Sequence, residues 1–160
     1  MAELERKGLQ IWGPQRERAL AAFKRVIDEW GLTMPAVEPQ VLDLGLGNFD
    51  KIGLIEYWIA NNEKEGYCGK FLFCFEGQTC PYHHHDFKHE TFFVLKGAVD
   101  MKVDGKVTRR NQGDIVEMRQ GSDHSFTAVG GPALLLEVSK PCQPNDNIFE
   151  DKAIGEHGVV

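Results

Sequence analysis

Apolar positions change their spacing once along the chain, near Val41. Before it, Leu20, Phe23, Ile27 and Trp30 recur every three or four residues, which puts them on one face of an α-helix. Residues 15–30 therefore read as an amphipathic helix, with Pro14 at its entrance and Gly31 at its exit. Residues 2–10 form a shorter candidate helix, and Pro35 and Pro39 mark a connector. From Val41 onward, short apolar runs alternate with Gly, Asn and Asp turns. The runs are 41–46, 52–60, 69–76, 90–96, 98–103, 106–109, 114–118, 124–129 and 133–139. Many short strands with frequent turns predict a sandwich or barrel. Asp104-Gly105, between Val103 and Lys106, accepts the positive φ angles of a tight hairpin turn. Beyond Pro141 the chain reads as a polar, irregular tail, in which residues 145–151 can fold over a barrel mouth.

Composition narrows the class. A chain of 160 residues, 42% hydrophobic and 26% charged, suits one globular domain, and no repeat or second domain stands out. The net charge of −6 argues against a nucleic-acid partner. No apolar stretch approaches the roughly 20 residues of a membrane helix. The amino terminus, Met-Ala-Glu-Leu-Glu-Arg-Lys, lacks the apolar core of a secretory signal. Cys68, Cys74, Cys80 and Cys142 contain no C-x-x-C pair, so a structural zinc framework is not expected. A reduced, cytoplasmic protein is the expectation.

The chemistry concentrates between Gly77 and Gly97. His83 and His85 alternate by two, so on a strand they share a face. After a short bend Glu90 joins them, with Phe92 and Val94 on the same inner face, and His124, Phe126 and Ala128 do the same later. Three imidazoles and a carboxylate with room for a further ligand describe an open site for Mn²⁺, Fe²⁺, Co²⁺, Ni²⁺ or Zn²⁺. His84 and His89 have the opposite parity and read as surface or supporting residues. The competing reading of His83-His84-His85 is a polar loop; Glu90, the bracketing glycines and the distant Gly113…His124 partner turn the balance toward metal.

Residues 77–97 match the pattern G-x5-H-x-H-x4-E-x6-G at every fixed position, and this resembles the first motif of the cupin superfamily. Gly113-x5-Arg119-x-Gly121-x2-His124-x3-Ala128 resembles the second, with Arg119 where proline is usual and Ala128 where asparagine is usual. The resemblance implies that His83, His85, Glu90 and His124 are metal ligands, with Mn²⁺ the first choice. It also implies a mainly β, jelly-roll barrel over 41–153, behind a helical extension (1–40) and ahead of a short tail (154–160).

Other segments look like the small D-lyxose isomerase branch of the cupins. These are Asp43-Leu-Gly-Leu-Gly, Tyr67-Cys-Gly-Lys70, Gly77-Gln-Thr-Cys-Pro81, Glu90-Thr-Phe and Asn147-Ile-Phe-Glu-Asp151. The stretch between His85 and Glu90 is shorter than in that branch, and Gly155-Glu156-His157 stands where a basic residue is expected. The likeness implies an aldose–ketose isomerase acting on a small sugar, and cupins commonly pair as homodimers. In that reaction Glu137, set inside the apolar run 133–138, is the candidate proton-transfer base, and Lys70 a hydrogen-bond donor. Asp146, Glu150 and Tyr82 are candidate sugar contacts. Plainer roles stay open: Lys70 snorkelling from a strand edge, Glu137 paired with Arg109 or Arg110, Asp146 and Glu150 as solvated tail charges. The same ligands also suit an Fe²⁺ dioxygenase or a non-catalytic sugar or metal binder.

Overall fold

The computed structural model describes residues 8–160. Residues 2–7 of the short helix expected over 2–10 lie outside the described residues; residues 8–10 make a turn and a β-bridge from Gln10 to Leu42 rather than helix. The longer helix, α1, spans Gly13–Glu29 and buries Ala19, Phe23 and Ile27. Gly31 stops it at φ 65, and the Leu32 amide folds back onto the Ile27 carbonyl at 3.1 Å.

Eleven strands follow: β1 (Gln40–Leu42), β2 (Leu54–Asn62), β3 (Tyr67–Cys74), β4 (Thr79–His84), β5 (Glu90–Lys96), β6 (Ala98–Val103), β7 (Lys106–Asn111), β8 (Ile115–Met118), β9 (His124–Ala128), β10 (Ala133–Ser139) and β11 (Ile148–Phe149). They pair antiparallel into a six-stranded sheet ordered β1-β2-β3-β10-β5-β8 and a five-stranded sheet ordered β11-β4-β9-β6-β7. The Asp104-Gly105 hairpin forms as expected, with φ 47 and 83 at its two turn residues.

Three details differ from the sequence reading. The run 41–46 leaves strand after Leu42, because Leu44, Gly45 and Gly47 take positive φ while the Asp43 carboxylate accepts the Gly45 and Gly47 amides at 2.9 and 3.0 Å. Residues 79–84 form β4 although they contain Pro81. The register slips between Cys80 and His83, so the missing proline N–H falls in an irregular stretch of the ladder. The tail is not wholly irregular: β11 pairs Ile148 with His84 and Phe149 with His83.

Two cores result. Leu72, Phe92, Val94, Met101, Phe126 and Leu135 fill the space between the sheets. Phe71 and Phe73 on β3, with Phe75 just past its end, alternate with Lys70, Leu72 and Cys74, so the aromatic side faces outward, where α1 covers it. Phe23 meets Phe73 edge to face at 4.8 Å. Strand parity thus separates a greasy outer face from an inner face that carries charge.

Candidate active site

His83 sits near the end of β4, His85 one residue past it, and His124 opens β9, opposite His83 in the ladder. Glu90 opens β5 and lies close to both His85 and His124. All four side chains are buried, and the ligand atoms of the three histidines lie within 4.8 Å of one another. Each imidazole is turned by a backbone carbonyl. The Nδ1 of His83 meets Pro81 O at 2.7 Å, that of His85 meets Asp146 O at 2.7 Å, and that of His124 meets Ser122 O at 3.0 Å. A carbonyl only accepts, so Nδ1 carries the proton and Nε2 is left with its lone pair. Burial, followed by the neighbouring His124 and His85 rings, holds the pKa of His83 well below the usual range; burial also lowers that of His85. Both therefore stay neutral, the form a metal requires.

The orphan atoms test the fit to a cation. His124 Nε2 and Glu90 Oε2 face each other at 3.2 Å without hydrogen-bond geometry, and neither has another partner among the described residues; His85 Nε2 is orphaned there too. Lone pairs this close, buried and unpartnered, are stabilised by a positive ion between them. The donor set fits an N₃O divalent site.

From Glu90 a row of buried charges runs across the barrel. Lys88 Nζ lies 2.5 Å from Glu90 Oε1 and 3.3 Å from Glu137 Oε1. Lys70 Nζ lies 3.4 Å from Glu137 Oε2 and 3.4 Å from Glu56 Oε1. None of the five side chains exceeds 6% exposure, so solvent does not screen these pairs. Ser139 Oγ donates to Glu137 at 2.8 Å, and Trp58 Nε1 donates to Glu56 at 3.1 Å. Burial by itself would lower the lysine pKa values, but Glu137 with Glu56 raises that of Lys70, and Glu137 with Glu90 raises that of Lys88. Burial would likewise raise Glu90, but the Lys88 ammonium together with the His124 and His85 rings outweighs it and holds the carboxyl well below the usual range. His83, Lys88, Glu90, Lys70, Glu137 and Glu56 all line one cavity. Its unfilled space is about 490 Å³ with its opening included, and about 40 Å³ of that is wide enough for the centre of a water molecule.

Residues 72–139, with both histidine segments, match the family model of the cupin domain. Over that stretch the barrel resembles a cupin domain. The chain is 29% identical to the D-lyxose/D-mannose isomerase of Thermosediminibacter oceani over 72% of its length and 77% of that protein. It is 28% identical to the D-lyxose ketol-isomerase of Cohnella laeviribosi over 93% of its length and 95% of that protein. Among solved structures, the L-ribose isomerase of Cellulomonas parahominis with L-ribose superposes with a TM-score of 0.76, at 14% identity, covering 94% and 96% of the two chains. At that identity the last comparison speaks for the fold alone.

The remaining expected site residues lie elsewhere in the barrel. The Asp146 carboxylate accepts the backbone amides of Asp86, Phe87 and Lys88 at 2.8–2.9 Å, so it clasps the loop that carries His85 and Lys88 and does not face the cavity. Tyr82 turns away as well: its hydroxyl accepts the Gly105 amide at 3.0 Å, and the Lys102 ammonium lies 4.4 Å from the centre of its ring. Glu150 is exposed and touches Tyr82 only through its own backbone amide. What the tail contributes to the cavity is Asn147, Phe149 and Val160, with Phe149 stacked on His83 at 5.0 Å. Glu137 pairs with the two lysines, while Arg109 binds Asp100 on the exposed hairpin. His84 meets Asp123 and His89 meets Glu117, both away from the cavity.

Lys88 and Glu56 went unread in the sequence, and both had a signal. Lys88 stands two residues before Glu90, at the spacing that shares a face in extended chain. Glu56 interrupts an apolar run as Glu137 does.

Proposed function

We propose that this protein is a cupin-type, metal-dependent aldose–ketose isomerase acting on an open-chain sugar of the D-lyxose/D-xylulose or D-mannose/D-fructose kind. The observation that carries the reading is Glu137, a buried carboxylate between two lysines, in the cavity that also holds His83 and Glu90. Aldose–ketose conversion moves one proton from C2 to C1 and a second from O2 to O1, and it needs a positioned base, hydroxyl-binding groups and exclusion of water. Glu137 takes the proton from C2 through a carboxylate oxygen and returns it to C1. Lys70 donates to the sugar oxygen on which negative charge develops. Lys88 holds Glu90 and Glu137 apart at fixed distances, and Glu56 anchors Lys70. Phe149 and Asn147 close one side of the cavity. His83, His85, Glu90 and His124 would hold the divalent ion, Mn²⁺ first, which supplies Lewis-acid polarisation of the sugar carbonyl when bound.

The protein loaded with Mn²⁺ should convert D-lyxose to D-xylulose, and in D₂O it should place solvent deuterium at the transferred position. Absence of turnover across aldopentoses and aldohexoses, with Mn²⁺, Co²⁺, Fe²⁺, Ni²⁺ and Zn²⁺ each supplied, removes the proposal. The reaction is expected in the cytoplasm and in a homodimer. Ile59, Val138 and Ile115 stand 50%, 53% and 67% exposed on the six-stranded sheet and offer an apolar face for a second copy.

A further inference from the structure

A second cluster of candidate ligand atoms, from Cys68, Glu137 and Cys142, lies beyond the histidine site. The two thiols are free and buried, with their sulfurs 3.9 Å apart beside Trp58. Their backbones are set independently. Cys68 sits on β3 opposite Ser139, and Cys142 is held by two hydrogen bonds with the Asn61 side chain at 2.9 and 3.1 Å. Bringing the sulfurs to bonding distance therefore asks for rotation about a side-chain bond and leaves the ladder as it is. Cys142 also lines a surface groove of about 810 Å³ with Trp58, Asn61, Tyr67 and Pro144, which gives a small molecule a way in.

The charges nearby argue against a second cation. Lys88 Nζ lies 3.7 Å from Cys142 Sγ and 3.3 Å from Glu137, so a metal among these three ligands would face an ammonium. The same ammonium favours thiolate. The hydrogen bond from Cys68, then Lys70 and Lys88, outweighs burial and lowers the Cys142 pKa to about 7, while Cys68 itself is pushed up. One thiol is thereby readied to attack and the other to resolve.

We propose that Cys68 and Cys142 form a thiol-exchange site that takes low-molecular-weight disulfides through the groove and closes into an internal disulfide. The Cys142 thiolate attacks one sulfur of the reagent, forming a mixed disulfide and expelling one thiolate. That thiolate takes the Cys68 proton, and Cys68 attacks the Cys142 sulfur and expels the second thiolate. The protein loses two electrons and the reagent disulfide is reduced to two thiols. Closure removes the thiolate beside Lys88, whose ammonium then faces only Glu90 and Glu137.

The test is incubation of the metal-loaded full-length chain with oxidised glutathione, followed by thiol titration, intact mass and peptide mapping. Titratable thiols should fall from four to two, the mass should drop by two hydrogens, and one linked peptide should join Cys68 to Cys142. Cys74 and Cys80, whose thiols burial pushes up, should stay reduced. In Cys68→Ser the reaction should stop at one glutathione on Cys142. Four thiols persisting in the wild type, a bridge through Cys74 or Cys80, or protection of both thiols by a zinc equivalent that Cys142→Ser loses would each overturn the proposal.

Discussion

Replacing Asp146 separates a clasp from a sugar contact. Its carboxylate accepts three backbone amides at 2.8–2.9 Å, and its carbonyl turns His85. A net hydrogen bond to a charged group contributes about 1.5–3 kcal/mol, and the low end applies because Asp86 is exposed and its amide can turn to water. Asp146→Ala should therefore cost about 4 kcal/mol, a large share of a typical 5–15 kcal/mol stability. In a chain of this length that lowers Tm by roughly 10 °C. Asp146→Asn keeps an acceptor for two amides but turns an NH₂ toward the Lys88 amide, so it should cost about 2 kcal/mol. Metal affinity should fall in the same order, because the clasped loop carries His85 and leads into Glu90. Calorimetry with and without metal gives both readouts. If either variant keeps the wild-type Tm and metal affinity and only raises KM, Asp146 contacts sugar after all and the clasp argument fails.

Four further outcomes follow from the same geometry. Glu137→Gln should lower kcat by about 10²–10⁴ while metal content, read by elemental analysis, stays at the wild-type level, whereas His124→Ala should lose the metal and leave the circular dichroism spectrum largely intact. Phe23→Ala, at a residue only 3% exposed and packed on Phe73 and Tyr57, should cost about 3–5 kcal/mol in urea unfolding; a loss under about 1 kcal/mol would mean that α1 does not stabilise the sheet it covers. The thiolate is the attacking form, so a Cys142 pKa lowered to about 7 from the ordinary 9.0 means that its reaction with oxidised glutathione rises with pH and levels off two units early; a midpoint near 9 would refute the influence of Cys68, Lys70 and Lys88.

Much of this molecule was open to reading in one dimension because strand parity is a local property. Alternation placed Lys70, Leu72 and Cys74 on one side of β3 and Phe71 and Phe73, with Phe75 just past its end, on the other, and the packing follows that division. The same alternation put His83, Glu90 and His124 on inner faces, where all three are buried. Other features resist such reading because they depend on residues far apart in sequence. The tail looked irregular since two residues of β11 have no periodicity of their own; only β4 beside them makes a strand. Glu137 looked able to pair with Arg109 or Arg110, and sheet order decided otherwise, setting it opposite Lys70.

The chain by itself determined the Asp104-Gly105 turn, the inward and outward faces of the strands and part of the roster of buried charges, since each follows from φ preferences and a two-residue period. Tertiary structure alone decided who meets whom. Asp146 reaches the 86–88 amides, Lys88 bridges Glu90 and Glu137, and Cys68 approaches Cys142 across 74 residues. Such pairings depend on how two sheets close over one another, and a short-range pattern contains no information about that closure.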